Sequence, residues 1–289
     1  MQISPLDPGG GVKGFVWMGE ANRKYGEKGK WELHGASMQV LNVALGPGEE
    51  LKTEPGSMMF MGPGLKAEAD CSGCCSRCLG GEPCAIMHYV NESGNPSYIG
   101  LTPSLPAEII ALDLASLQKV KCRRGAYMSS LGDVKPSFDV DCNPLTACCA
   151  GFGMCRQTVS GTSGTAFISA MGTVEMKTLG VNETIIIDSN SLVAWTEPVQ
   201  LGVRTAGSCM VCCCNGEGCC NTTVTGPGAS SLCIVDVSSS FFLDVFLSLS
   251  RHGVDPVHVL PAVQGPDGRH GPFCFRGIVD LISSLLLWI

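Results

Sequence analysis

Apolar residues in this chain come in short runs, and three of the runs open in the same way. Gly56 leads into Ser57-Met58-Met59-Phe60, Gly125 into Ala126-Tyr127-Met128, and Asn190 into Ser191-Leu192-Val193. Each string sets a residue that tolerates positive φ before a small residue and then apolar residues suited to a strand. The intervals are 69 and 65 residues. Further β-prone runs, "AIMHYV", "RQTV" and "NTTV", are each followed by a Gly-containing turn, at Gly94, Gly161–Gly164 and Gly226–Gly228. The connecting segments match as well: Glu108, Ile109, Leu112 and Leu114 have the offsets of Glu175, Met176, Leu179 and Val181. Glu49 and Glu183 fall at matching turn positions.

A period near 67 residues with few helical patterns predicts an all-β fold. The expected architecture is three pseudo-repeated β-units about a pseudo-threefold axis, as a sandwich or prism. Residues 1–30 read as an N-terminal arm, 31–237 as one β-domain and 238–289 as a divergent, irregular tail. "SSLCIVDV", Ser230 to Val237, alternates well enough to supply a closing strand. Beyond it, repeated Gly and Pro leave room for short helices near Phe241–Leu249 and Ile278–Trp288.

Cysteine clusters keep the phase of the repeat. They span 71–84, 142–155 and 209–220, beginning 15, 17 and 19 residues after Gly56, Gly125 and Asn190. If the units are equivalent in space, the three Cys-rich loops meet at one end of the molecule.

Composition narrows the function. A net charge of −7 argues against nucleic acid, whose binding rests on neutralising phosphates with Lys and Arg. The densest basic run, "KVKCRR" from Lys119 to Arg124, reads as a solvated edge strand. No N-terminal secretory pattern or presequence is seen, and no apolar stretch reaches the ~18 residues of a spanning helix. A cytoplasmic or intracellular peripheral location follows, with the 18 Cys mostly as thiols and the sequons at Asn91, Asn182 and Asn221 unglycosylated.

The runs "LNVALGPGEELKTEPGSMMFM", "GGEPCAIMHYVNESGNPSYIGLTPSLPAEIIALDL" and "SLVAWTEPVQLGVRTAG" resemble the altered-inheritance-of-mitochondria (mitochondrial biogenesis) protein family. The resemblance runs from about Trp31 to about Gly228, and its most specific element is residues 47–49 with 54–58. It implies the fold of the tryptophan RNA-binding attenuation protein, an oligomeric habit, and no enzymatic activity. A mitochondrial location is implied by the resemblance alone. The Cys-rich loops depart from the Gly-rich and aromatic loops more usual in the family.

No Walker loop, H-E-x-x-H or nucleophile elbow is present, so the chain reads as a non-enzyme without a cofactor. Gly9, Gly11 and Gly14 spell G-x-G-x-x-G without the strand and helix a dinucleotide site requires. The candidate thiol site is Cys71, Cys74, Cys75 and Cys78 with Cys209 and Cys212, which contain C-x-x-C pairs of the kind zinc uses. The usual spacing between pairs is absent. The bland alternative is Cys as a small hydrophobe filling turns. Acylation of an exposed cluster is a third reading. His88 reads as a strand residue, and Trp31, Trp195 and Tyr127 as core. The leading expectation is an oligomeric β-scaffold contacting a protein partner or a membrane through its Cys-rich end. A thiol–metal module is the alternative, and RNA or small-ligand binding the second alternative.

Overall fold

In a computed structural model of the chain the described residues are 24–25, 30–35, 38–140, 155–171, 174–207, 220–226 and 231–236. Their regular structure is almost entirely strand. An entry hairpin consists of β1 (Lys24–Tyr25), β2 (Trp31–His34) and β3 (Val40–Leu45). Lys24 and Tyr25 lie in the segment expected as an arm, yet they pair with Leu33 and Glu32.

Three runs of strands follow. The first is β4 (Glu50–Thr53), β5 (Met58–Met61), β6 (Leu65–Asp70), β7 (Ile86–Asn91), β8 (Ser97–Leu101) and β9 (Glu108–Asp113). The second is β10 (Lys119–Cys122), β11 (Tyr127–Leu131), β12 (Val134–Val140), β13 (Cys155–Gly161), β14 (Thr165–Ala170) and β15 (Val174–Leu179). The third is β16 (Thr184–Ile187), β17 (Leu192–Thr196), β18 (Gln200–Thr205), β19 (Cys220–Thr225) and β20 (Ser231–Asp236). Two short helices interrupt them, α1 (Cys74–Leu79) and α2 (Leu114–Leu117).

Strand order repeats along the chain. One six-stranded sheet runs β6-β7-β4-β11-β14-β9 and the other β12-β13-β10-β17-β20-β15. Adding six to every strand number of the first gives the second. Each of these sheets therefore joins four strands of one run to two of the next. Two smaller sheets run β16-β19-β18 and β1-β2-β3-β8-β5. Each run also carries a β-bulge at one place, between Met58 and Phe60, Tyr127 and Ser129, and Leu192 and Ala194. A bulge re-aims the strand and sharpens its twist.

The turns that lead into the runs share their chemistry. Glu49 Oε2 accepts from Gly46 N at 2.8 Å, and Glu183 Oε2 accepts from Gly180 N at 2.8 Å. Gly48, Gln118 and Asn182 take positive φ just before β4, β10 and β16. Gly56 and Gly125 adopt the positive φ expected of them. Asn190 does not: it lies in a 3-10 turn, Ser189–Ser191.

Alternation along the strands sorts side chains into three apolar clusters. Leu41, Val43, Leu51, Ile99 and Phe167 belong to one, with Trp31 edge-on to Phe167 at 5.1 Å. Val120, Cys122, Tyr127, Val159 and Ile168 belong to a second. Leu179, Leu192, Trp195, Val199 and Val224 form the third. The basic run is thereby corrected from an edge to an interior strand. β10 lies between β13 and β17, and Val120 and Cys122 are buried. Its alternation fits a half-buried strand, and only sheet assembly decides whether both edges are covered. The closing strand forms as Ser231–Asp236, and the helices expected at 241–249 and 278–288 lie outside the described residues.

Candidate metal centre

The first Cys-rich segment is a compact helical cap. Asp70, at the end of β6, accepts from the backbone N and the Oγ of Ser72, at 2.7 and 2.6 Å. Cys71 O accepts from Cys74 N at 3.1 Å, and Gly73 turns the chain at φ 80° into α1. Four residues apart on one short helix, Cys74 and Cys78 share a face. The helix stops when Gly81, at φ 73°, donates to Cys78 O and Glu82 donates to Arg77 O. Pro83 then carries Cys84 back over the helix.

The result is a three-sulfur cluster. The Sγ atoms of Cys74, Cys78 and Cys84 all lie within 4.8 Å of one another. In a tetrahedral thiolate site with Zn–S of about 2.3 Å the sulfurs stand roughly 3.8 Å apart.

Electrostatics divide the three thiols. Hydrogen bonds from Cys78 and then Cys74 hold the Cys84 thiol below its ordinary value, and the Arg77 guanidinium adds to this. Donating to Cys84 pushes Cys74 up to about 12 and also raises Cys78. The first proton thus leaves Cys84, and the other two thiols solvate the thiolate. A thiophilic cation would replace those S–H donors and let all three ionise.

Arg77 anchors this cap from beneath. Its Nη2 donates to both carboxylate oxygens of Glu54, at 2.6 and 2.7 Å, and its Nε to Pro83 O at 2.6 Å. Its guanidinium also lies over the Phe138 ring, 5.9 Å from the centroid. Glu82 Oε1 accepts from Gly125 N at 2.6 Å, and Arg124 Nε donates to Gly81 O at 2.7 Å. The cap is therefore tied to the turn of the first run, at Glu54, and to that of the second, at Arg124 and Gly125.

The sequence-level candidates separate here. Cys74 and Cys78 come together. Cys71 and Cys75 are exposed and outside the three-sulfur group, while Cys209 and Cys212 lie outside the described residues. Cys84 takes the third place. The signal for it was the i, i+4 spacing of Cys74 and Cys78 followed by a Gly-Gly turn, which a search for C-x-x-C pairs passes over. Turn-filling is corrected for this segment, because Cys71, Cys75, Cys78 and Cys84 are exposed. Cys122, on β10 and outside the Cys-rich segments, is buried and pushed up to about 12 by that burial.

Other candidates are placed by packing. His88 is a half-buried strand residue, its Nδ1 on the Glu50 carboxylate and its Nε2 3.7 Å from Asp70. Trp195 and Tyr127 are buried as expected. Asn91 is buried, and its Nδ2 donates to Leu45 O and Asn95 O, which leaves the amide no room for a glycan. In the basic run, Lys119 pairs with Asp139 and Glu197, Arg123 donates to Asn190 O, and Arg124 holds Gly81. Those three charges are engaged within the chain.

The profile of the mitochondrial biogenesis AIM24 family matches residues 31–230. The chain belongs to that family. The matched span contains the three-sulfur cluster and all the strands from β2 to β19. A Streptococcus pyogenes protein known from an X-ray crystal structure is similar in fold, with a TM-score of 0.60 and 19% identity. The likeness covers 77% of this chain and 98% of that one. At that identity the likeness shows the fold alone. No curated protein matches the chain. Among the described residues no helix is long and apolar enough to cross a membrane.

Proposed function

We propose that this AIM24-family chain is a non-enzymatic β-scaffold that holds a thiophilic metal ion, zinc or copper(I), on Cys74, Cys78 and Cys84. The observation that carries the reading is the mutual approach of three sulfurs within 4.8 Å on a cap that is pinned at both ends. Preorganisation matters here, because ligands already gathered lose little entropy when an ion arrives. Three thiolates suit a trigonal copper(I) site, or a zinc site completed by one further ligand. Family membership links the protein to mitochondrial biogenesis. A mitochondrial role for this chain, and the placing of its three strand runs about one axis, belong to the same proposal, the latter supported by the repeated strand order.

Elemental analysis of protein purified under reducing, anaerobic conditions without added metal tests the site. About one ion per chain is expected. The ion should be lost in Cys74→Ser, Cys78→Ser and Cys84→Ser and kept in Cys71→Ser and Cys75→Ser. Equal metal content in wild type and the triple variant, or no retained metal, would sink the proposal.

A further inference from the structure

β9 ends its sheet with one backbone edge turned into a groove. β3, β9 and β15 hold like places, each pairing on one side with a later strand, β8, β14 and β20. On its other side β3 is covered by β2, in the register Trp31↔Val43, Glu32↔Asn42 and Leu33↔Leu41. Among the described residues no strand covers the outer edge of β9. The segment that precedes β9, residues 102–107, carries Pro103 and Pro106 and forms no strand. Proline lacks the N–H that a ladder requires.

A single residue begins a ladder there. Gln39 N donates to Ala107 O at 3.2 Å, and Gln39 Oε1 accepts from Ile109 N at 2.7 Å. In an antiparallel ladder the N–H and C=O of one residue point the same way, and those of the next residue point the opposite way. The Ile109 N–H points to Gln39, away from β14, so the N–H and C=O of Ala111 point outward as well. Leu114 N, of the other parity, donates to Gly164 O beside β14. Ala111 thus presents one donor and one acceptor where Gln39 stops.

The space along β9 is an open groove of about 490 Å³, a size common among ligand-binding clefts. β9 stands between two apolar clusters: Trp31 and Ala111 border one, and Ile110, Leu117 and Val174 border the other. All five line the groove. An added strand would therefore meet apolar surface on both its faces. Charge on β9 is confined to its two ends, Glu108 and Asp113, and both line the groove. Asp113 Oδ1 accepts from Ala115 N at 3.0 Å, and Glu108 has no ion-pair partner among the described residues. Carboxylates at both ends, on a chain of net charge −7, select a ligand with basic ends.

We infer that this groove is a peptide-binding site. Its occupant is a short extended segment of another protein, apolar on both faces and basic at both ends. That segment adds to β9 as a strand and exchanges backbone hydrogen bonds with Ala111, as β2 adds to β3 within the chain. An extended peptide fits because the groove offers outward backbone groups along a strand, with apolar walls on either side. The inference is independent of the metal site.

Fluorescence anisotropy tests it with the full-length chain and a labelled, capped hexapeptide. The peptide has lysine at each end, with valine, leucine, valine and threonine between. Saturable binding with a Kd of about 1–100 μM is expected. Glutamate in place of both lysines, or Glu108→Lys in the protein, should weaken it at least about tenfold. Ala111→Pro removes the outward N–H and spares the pairing with β14, so it too should weaken binding at least about tenfold. Circular dichroism checks that both variants are folded. Methylating single peptide amides gives the readout peculiar to strand addition. Alternate amides face β9, so methylation at the third and at the fourth residue should differ in effect by at least about tenfold. Absence of saturable binding at about 100 μM would overturn the inference. So would equal binding of the lysine and glutamate peptides, a folded Ala111→Pro chain that binds like wild type, or equal effects of methylation at the two positions.

Discussion

Arg77 Nη2 lies 2.6 and 2.7 Å from the two carboxylate oxygens of Glu54, and both side chains are nearly out of solvent. The pair joins the cysteine-bearing helix to the turn after β4. Removing one partner strands the other charge in a poorly solvated place, which typically costs about 3–5 kcal/mol. Glu54→Ala should therefore lower unfolding free energy by about 3 kcal/mol in urea titration. Glu68→Ala, which breaks an exposed, solvent-screened pair with Lys66, should change stability far less. Equal costs would show that Arg77 finds another partner.

The same carboxyl sets a pH dependence. Burial pushes Glu54 up to about 7, against the opposing pull of Arg77, and Glu82 adds a smaller push in the same direction. The folded state then holds a proton in the interval where the unfolded chain has released it. That contribution to stability is present below the ordinary glutamate value of 4.5 and is lost as pH rises through about 7. Denaturant midpoints for wild type should fall between pH 5 and pH 8 relative to those of Glu54→Gln, which has no proton to lose. Parallel profiles for the two proteins would refute the assignment.

A contrasting limb comes from the repeated turns. Glu49 is held below its ordinary value first by the Gly46 N–H and then by Lys30, and Glu183 first by the Gly180 N–H and then by Lys177. A lowered folded value means stability present above the ordinary glutamate range and lost as pH falls through the folded value. Glu49→Gln with Glu183→Gln should flatten the acid side of the stability profile while leaving the neutral side in place. An unchanged acid limb would count against the turns as its source.

Gly164 and Gly48 separate two reasons for glycine. Gly164 takes φ +111°, and a Cβ there would strike the Leu131 carbonyl oxygen. Gly48 takes φ +75° with open space around it. Gly164→Ala should destabilise by about 2 kcal/mol or more, combining backbone strain with collision. Gly48→Ala should cost about 1 kcal/mol, from backbone strain alone. Thermal or urea unfolding of both variants checks the order.

Local rules settled much of this protein from its sequence. Short apolar runs behind Gly56, Gly125 and Asn190 became β5, β11 and β17, because strand preference and turn chemistry act over a few residues. Glu49 and Glu183 occupy one turn geometry for the same reason: each reaches a backbone N–H three residues away. The family, too, was legible in the turn residues around 47–58, and its profile covers residues 31–230.

Tertiary structure decided the rest, through contacts between residues far apart in the chain. Whether Lys119–Cys122 is an edge or an interior strand depends on β13 and β17 arriving beside it. Cys84 joins Cys74 and Cys78 because Arg77 is fixed by Glu54, 23 residues away, and Glu82 by Gly125, 43 residues away. Spacing rules see the ligands of one helix face. They do not see a buried ion pair that turns the following segment back over it, because that pair is created only when β4 and β11 lie side by side.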